Sequence, residues 1–239
     1  MPSEAASPAA GERRALVTGS SSGIGQAIAE RLLADGWRVH GFDLAAPRIE
    51  HARFAAVRVD LTDAAATQAT ARAAGDVAAF VHAAGVLRVG PLGALRSEDA
   101  TLMWRLHVDA ACGIANVVMP RMMAQRDGRV VLIGSRVAHG KAGRSQYAAC
   151  KAALIGLARS WAAEAIAAGV TVNVVSPAAT QTAMLDDPAR KTEPPSLPPL
   201  GRMIRPDEVA ALVAYLLSSA ATAITGQDIQ ICGGASLPR

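Results

Sequence analysis

Short apolar runs of strand length alternate with longer helical patterns along nearly the whole chain. That alternation restricts the fold more than any other feature of the sequence. Seven runs read as strands: "RALVTGS" (14–20), "WRVHGFD" (37–43), "FAAVRVD" (54–60), "DVAAFVHAAG" (76–85), "GRVVLIGS" (128–135), "GVTVNVVSP" (169–177) and "TGQDIQICGG" (225–234). Near-continuous apolar character marks strands covered on both faces, as in parallel sheets. Between the first two, "GIGQAIAERLLADG" sets Ile24, Ala27, Ile28 and Leu32 on one helical face and stops at Gly36. Only a short linker, 44–53, with room for one helical turn, joins the second and third strands.

Further helices are predicted over 63–75, from Ser97 to about Gln125, from Ser145 to about Ala168, and from Pro206 onward. Ser97 is the expected N-cap of the long helix, with Glu98 and Asp99 in its first turn, and Ser145 caps the next. Strands alternating with helices predict an α/β fold: a seven-stranded parallel sheet with helices on both faces. No repeat or composition break divides the chain, so residues 13–239 are read as one domain and 1–12 as a flexible tail. The stretch 178–206 holds six prolines and is too long for an ordinary connection. Its part from about 184 to 205 is expected to form a lid beside the substrate.

Bulk properties exclude several classes of function. Apolar residues make up 51% of 239, which suits a folded globular chain. The net charge of +4 comes from scattered arginines, and aromatics are only 3%, so no nucleic-acid surface is expected. No apolar run is long enough to span a bilayer, and the N-terminus lacks the apolar core of a secretory signal. Three widely spaced cysteines without a CxxC suggest neither a disulfide framework nor a metal site. A cytoplasmic location is expected.

"TGSSSGIG" (18–25) stands where a strand hands over to a helix. Glycines there permit a tight turn and close phosphate approach, and the helix N-terminus offers free N–H groups and a positive dipole end. The spacing is neither G-x-G-x-x-G nor a Walker loop, and a plain Gly/Ser turn has the same composition. Asp43 ends the second strand 18 residues after Gly25, near the place where an acid meets a ribose 2′-hydroxyl. Its charge would repel a 2′-phosphate, which favours NAD over NADP. An aspartate in that place also caps helices and turns.

In "SQYAACKAAL" (145–154), Tyr147 and Lys151 are four residues apart and share one helix face. An unperturbed tyrosine has a pKa of about 10, and an ammonium beside it favours the phenolate. The pair therefore suits proton transfer near neutral pH. Ser135 ends the fifth strand 12 residues earlier, at the end of the sheet where parallel α/β folds bind ligands. Each feature alone has an ordinary structural explanation. Their joint appearance in this order is harder to explain so.

With these pieces on one chain, the sequence from about Arg14 to Leu237 resembles the short-chain dehydrogenase/reductase family, in its 3-oxoacyl-carrier-protein-reductase-like branch. The matching segments are "TGSSSGIG", "VDLTD" (59–63), "HAAG" (82–85), "IGS" (133–135), "YAACK" (147–151), "SPAATQT" (176–182) and "ITGQDIQICGG" (224–234). The resemblance implies a single-domain Rossmann fold and an enzyme that moves hydride between NAD(P) and an alcohol or ketone. It makes Tyr147 the general acid/base, Lys151 its modulator and a ribose ligand, and Ser135 the holder of the substrate oxygen. It assigns the cofactor to Gly19, Ser21, Ser22, Gly23, Ile24 and Gly25, to Asp43 and Leu44, and to Asp60 and Leu61 near the adenine. Ala83, Ala84, Gly85, Pro177, Ala178, Thr180 and Thr182 line the ribose and nicotinamide side. No metal is implied. A homotetramer is, built through the long helices and the last strand.

The sequence departs from the family pattern in places. Asp109, in "LHVDAA", is matched to a helix asparagine whose backbone carbonyl and a water link the lysine to solvent. His82 and Ala83 replace two asparagines, Ala178 a glycine and Cys232 an aspartate; His82 is read as a hydrogen-bonded core histidine and Cys232 as a packing or interface residue. Val86, Leu87, Val89, Arg136, Val137 and His139 are expected to border the substrate; Arg136 is read as an exposed arginine, with contact to an anionic substrate group as the alternative. Within the family, reduction of 3-oxoacyl thioesters and oxidation of dihydrodiols are the alternative activities. Outside enzymes, the alternative is an NAD-binding sensor or scaffold.

Overall fold

The computed structural model describes residues 13–183 and 197–238. Seven strands form one sheet: β1 (Arg14–Thr18), β2 (Arg38–Asp43), β3 (Phe54–Arg58), β4 (Ala79–His82), β5 (Gly128–Ile133), β6 (Val170–Pro177) and β7 (Asp228–Ile231). Their order is β3-β2-β1-β4-β5-β6-β7, and every neighbouring pair is parallel. This is a single-domain Rossmann-like α/β fold.

Each strand sends alternate residues to two cores. Leu16, Phe80, Leu132 and Val174 join one apolar cluster with residues of α2 (Ala64–Ala73), α4 (Ala110–Gln125) and α5 (Ser145–Ala165). Ala15, Val17, Val81, Val131 and Val175 join the other, with α1 (Gly23–Ala34) and α6 (Pro206–Leu216). Because both faces are buried, β5 and β6 lie fully inside. That is the physical origin of their unbroken apolar runs. Strand order reverses between β1 and β4, and ligands of open α/β sheets bind outside the strand ends at such a switch point.

Most elements stop a few residues short of their sequence-based bounds. β1 ends at Thr18 because Gly19 takes a φ of +69° and turns the chain out of the sheet. The 44–53 linker contains no helical turn. Neither predicted serine cap forms. Arg96 precedes α3 (Ser97–Trp104) and Arg144 precedes α5 in the N-cap positions, and Ser97 and Ser145 are the first helical residues. The long helix is continuous but not uniform: a π-helical turn, Arg105–Asp109, separates α3 from α4.

A parallel bridge between Thr180 and Ile204 closes the proline-rich segment at its base. The predicted lid falls largely on 184–196, and the predicted tail on 1–12; both lie outside the described residues.

Candidate active site

The loop after β1 is held by contacts that leave no room for side chains. A Cβ on Gly19 would lie 2.8 Å from the Ala84 backbone, and one on Gly25 would lie 2.1 Å from the Gly19 carbonyl oxygen. Gly23 adopts a φ of +54° and sits under the Thr182 methyl group. Ser22 is the N-cap of α1, with no side-chain cap bond, so the first N–H groups of the helix face the crevice. The donor set and the lack of Cβ bulk fit a pyrophosphate.

Asp43 fastens this loop to β2. Its Oδ2 accepts from the Ser21 N–H at 2.9 Å, and its Oδ1 accepts from the Ala45 N–H at 2.9 Å. Each oxygen keeps a second lone pair for a ribose hydroxyl. The Arg58 guanidinium reaches the same corner, where its Nε donates to the Leu44 carbonyl at 3.1 Å. Asp60 accepts from both the N–H and the hydroxyl of Thr62, which together hold its carboxyl below the usual range.

His82 is a core residue. Its Nε2–H donates to the Leu106 carbonyl at 3.1 Å, and its Nδ1 accepts from the Thr18 hydroxyl at 3.0 Å. Burial, then the nearby Lys151 charge, pushes its pKa down to about 3, so the ring is neutral. The Thr18 oxygen in turn accepts from the N–H groups of Ala83 and Ala84 at 3.1 Å each, which anchors "HAAG" against the glycine loop.

Ser135 follows β5 and caps a 3-10 turn, Arg136–His139, by accepting from the Val137 N–H at 3.2 Å. Its hydroxyl hydrogen stays available. Tyr147 and Lys151 are buried on α5, 7% and 4% exposed, on the face turned toward β5. Lys151 Nζ donates to the Ile133 carbonyl at 2.7 Å and lies 5.7 Å from the Tyr147 ring centroid. Burial pushes the Lys151 pKa down to about 7.

One cavity of about 530 Å³ joins these parts. It is lined by the glycine loop, Asp43, Leu44, Asp60, Leu61, Ala83 to Gly85, Ser135, Tyr147, Lys151, Pro177, Ala178, Thr180 and Thr182. Val86, Leu87, Arg136 and Val137 border it as expected, whereas Val89 and His139 do not. Instead His139 bonds Gln230 and faces Asp228 across 3.7 Å. Ser21 is also absent from the lining; it is buried and holds the loop through its N–H to Asp43.

Asp109 is not brought to this cavity. It is exposed and borders a separate hollow with Cys112, Asn116, Trp161 and Glu164 on the outer side of α4 and α5. The π-helical turn brings Leu106 and His107 to the cavity, and sequence reading missed His107. Residues two apart on a helix point to nearly opposite sides, so only one of His107 and Asp109 can face in. His107 is 1% exposed and donates from Nε2 to the Val86 carbonyl at 2.8 Å, while its Nδ1 is buried without a hydrogen-bond partner. Burial first, and the Lys151 charge second, holds its pKa well below the usual value. The signal that could have found it was the buried side of the 97–125 pattern, which runs through Met103, His107 and Ala110.

A family model described as Enoyl-(Acyl carrier protein) reductase matches residues 19–236. The chain belongs to the short-chain dehydrogenase/reductase family, and it is an enzyme of the kind that acts on CH–OH or keto groups. The 3-oxoacyl-[acyl-carrier-protein] reductase FabG of Salmonella typhimurium is 36% identical over 234 residues, covering 92% of this chain and 96% of that protein. The 2,3-dihydro-2,3-dihydroxybenzoate dehydrogenase of Escherichia coli is 36% identical over 238 residues, with the same two coverages. A solved structure described as a short chain dehydrogenase/reductase family protein superposes with a TM-score of 0.86 at 33% identity, covering 93% of this chain and 96% of that one.

All three cysteines are free. Among the described residues, no helix is long and apolar enough to cross a membrane, and no cluster of three or more His, Cys, Asp or Glu could hold a metal.

Proposed function

We propose that this chain oxidises or reduces an alcohol/ketone carbon with NAD(H), using Ser135, Tyr147 and Lys151. The observation that carries the reading is their convergence: all three border one cavity with the glycine loop, two of them on one buried face of α5. A bound nicotinamide would supply the hydride chemistry. Tyr147 moves the proton at its phenolic oxygen, as a base toward an alcohol and as an acid toward a carbonyl. Lys151, anchored on the Ile133 carbonyl, steadies the phenolate. Ser135 presents its hydroxyl to the substrate oxygen, and Thr182 closes over Gly23 at the nicotinamide side.

NAD is favoured over NADP because the Asp43 carboxylate is held in place at the C-terminal end of β2 by two backbone N–H groups. A 2′-phosphate there would meet a negative charge. The names of the two relatives, a 3-oxoacyl reductase and a dihydrodiol dehydrogenase, both concern a carbon bearing oxygen. Residues 13–239 act as one catalytic unit. A homotetramer formed through the outer faces of α4 and α5, in a reducing cytoplasm, suits the alanine-rich helices and the free thiols.

Titration of the purified protein with NADH and NADPH, followed by fluorescence, tests the cofactor. Tighter binding of NADPH would refute the Asp43 argument. Turnover of an alcohol and ketone panel at 340 nm tests the site: Tyr147→Phe is expected to lose roughly 10²- to 10⁴-fold in kcat and to bind NADH nearly as before. Near-normal turnover by that variant would remove Tyr147 from its role.

A further inference from the structure

A cation stands beside the acids at the adenosine end of the cavity. Asp43 and Arg58 are register partners in the parallel pair β2–β3, so their side chains leave the sheet on the same face. Neighbouring strands are about 4.8 Å apart, which starts the two side chains side by side. Each is nevertheless engaged elsewhere. The Asp43 oxygens accept from the Ser21 and Ala45 N–H groups, and Arg58 Nε donates to the Leu44 carbonyl. Leu44 follows Asp43 and lines the cavity with it.

Arg58 ends β3 and is exposed, but its Nε bond fixes the guanidinium beside the Leu44 backbone. A guanidinium carries five N–H donors in a planar fork, and that bond uses one. Among the described residues, the four on its Nη atoms meet no acceptor and no carboxylate. The other acid nearby, Asp60, turns its carboxylate to Thr62. The corner thus presents an anchored carboxylate and, one strand over, an anchored cation with open donors. A carboxylate suits ribose hydroxyls and opposes a phosphate, whereas a guanidinium fork matches phosphate oxygens.

We infer that Arg58 is a specificity residue for the cofactor: its Nη donors take up the 2′-phosphate of NADP(H), so that Asp43 sets a preference for NAD(H) without closing the site to the phosphorylated dinucleotide. The inference rests on the cofactor reading above and adds a second residue to it, one that acts on NADP(H) alone. NAD(H), with a 2′-hydroxyl, gives the fork no anion to hold. Two carboxylates, Asp43 and Asp60, against one cation leave NAD(H) the better ligand. An Arg58 that served only to tether Leu44 would help both cofactors equally.

Two measurements test it. The first is fluorescence titration of wild type and Arg58→Gln with NADPH and NADH. The NADPH Kd is expected to rise by about 3- to 20-fold in the variant, and the NADH Kd to stay within about twofold. Arg58→Lys, which keeps the charge without the fork, should recover part of the loss. The side chain is exposed, so both variants should melt at the wild-type temperature. Equal weakening of both cofactors marks a tether for Leu44, and no change in either marks a bystander; each result overturns the inference.

The second measurement needs neither turnover nor a nicotinamide. Adenosine 2′,5′-bisphosphate and 5′-AMP are made to compete with NADH at low and at high salt. Arg58→Gln should weaken the bisphosphate several-fold more than 5′-AMP at low salt, and the difference should shrink at high salt because an exposed contact is screened. Equal weakening of the two competitors sinks the inference whatever the titration shows. A wild type that prefers NADPH to NADH refutes the Asp43 argument, and Arg58 is then still judged by how far its variant shifts the ratio. A wild type that binds neither dinucleotide sinks both.

Discussion

The rings of His107 and Tyr147 meet perpendicularly, with centroids 5.5 Å apart and an interplanar angle of 81°. His107 is locked on its other side by its bond to the Val86 carbonyl and by Gly85, whose backbone leaves no room for a Cβ beside the imidazole. A neutral, immobile ring therefore backs the proposed acid/base. His107→Leu removes the only N–H that reaches the Val86 carbonyl from this ring. It is expected to cost about 1–3 kcal/mol of stability and to lower kcat more than it changes KM. Denaturant unfolding and steady-state kinetics measure both, and His107→Asn, which keeps a donor, should recover part of the loss. A leucine variant with unaltered stability and kcat would show that the contact does not position Tyr147.

Lys151 makes stability depend on pH in a defined direction. Its folded pKa, about 7, lies below its ordinary 10.5. Between those values the unfolded chain holds the proton and the folded chain has lost it, so stability rises with pH across that window. Below about 7 the folded chain must bury an ammonium, and its penalty is complete. Without cofactor, wild type should therefore gain stability relative to Lys151→Met as pH rises from 7 toward 10. Parallel pH profiles for the two proteins would contradict the burial argument.

Replacing Asp43 should shift the cofactor balance. Asp43→Ser removes the charge that opposes a 2′-phosphate and one acceptor of ribose hydroxyls. The ratio of NADP Kd to NAD Kd is expected to fall by about tenfold or more. Fluorescence titration of both cofactors reads it directly, and an unchanged ratio would shift attention to Arg58.

Two glycine substitutions should act in opposite directions. In Gly25→Ala the new Cβ would fall 2.1 Å from the Gly19 oxygen, which forces the loop apart. Loss of dinucleotide binding and about 1–3 kcal/mol or more of stability are expected. Gly156, exposed in the middle of α5, has nothing within 4 Å of its would-be Cβ. Gly156→Ala should stabilise by about 0.5–1 kcal/mol through helix propensity alone. Calorimetry of the two variants tests both signs; a stabilised Gly25→Ala would disprove the close-packed loop.

Much of this molecule was legible in the chain because its signals are local. Runs such as "GRVVLIGS" announce a strand buried on both faces by composition alone, and a tyrosine and a lysine four apart must share a helix face. Parallel direction follows from the alternation of strands and helices; the strand order came from the tertiary structure. The glycine loop, Ser135, Tyr147 and Lys151 stood out only through their joint appearance in this order, because each alone has an ordinary structural explanation.

What the chain alone could not decide depends on rotation and on distant partners. Whether His107 or Asp109 turns inward is set by the π-helical turn at Arg105–Asp109, a wider winding that arises where the helix meets Val86, Gly85 and Tyr147 at once. No local pattern encodes it. The serine caps do not form because both helices begin one residue earlier, with Arg96 and Arg144 in the N-cap positions. Burial of Lys151 against Ile133, and the meeting of the glycine loop, Asp43, Ser135 and Tyr147 around one cavity, exist only once seven strands are laid side by side. Residue types and spacings determined which chemistry was available; long-range packing decided which side chains face the cavity, and with what charge.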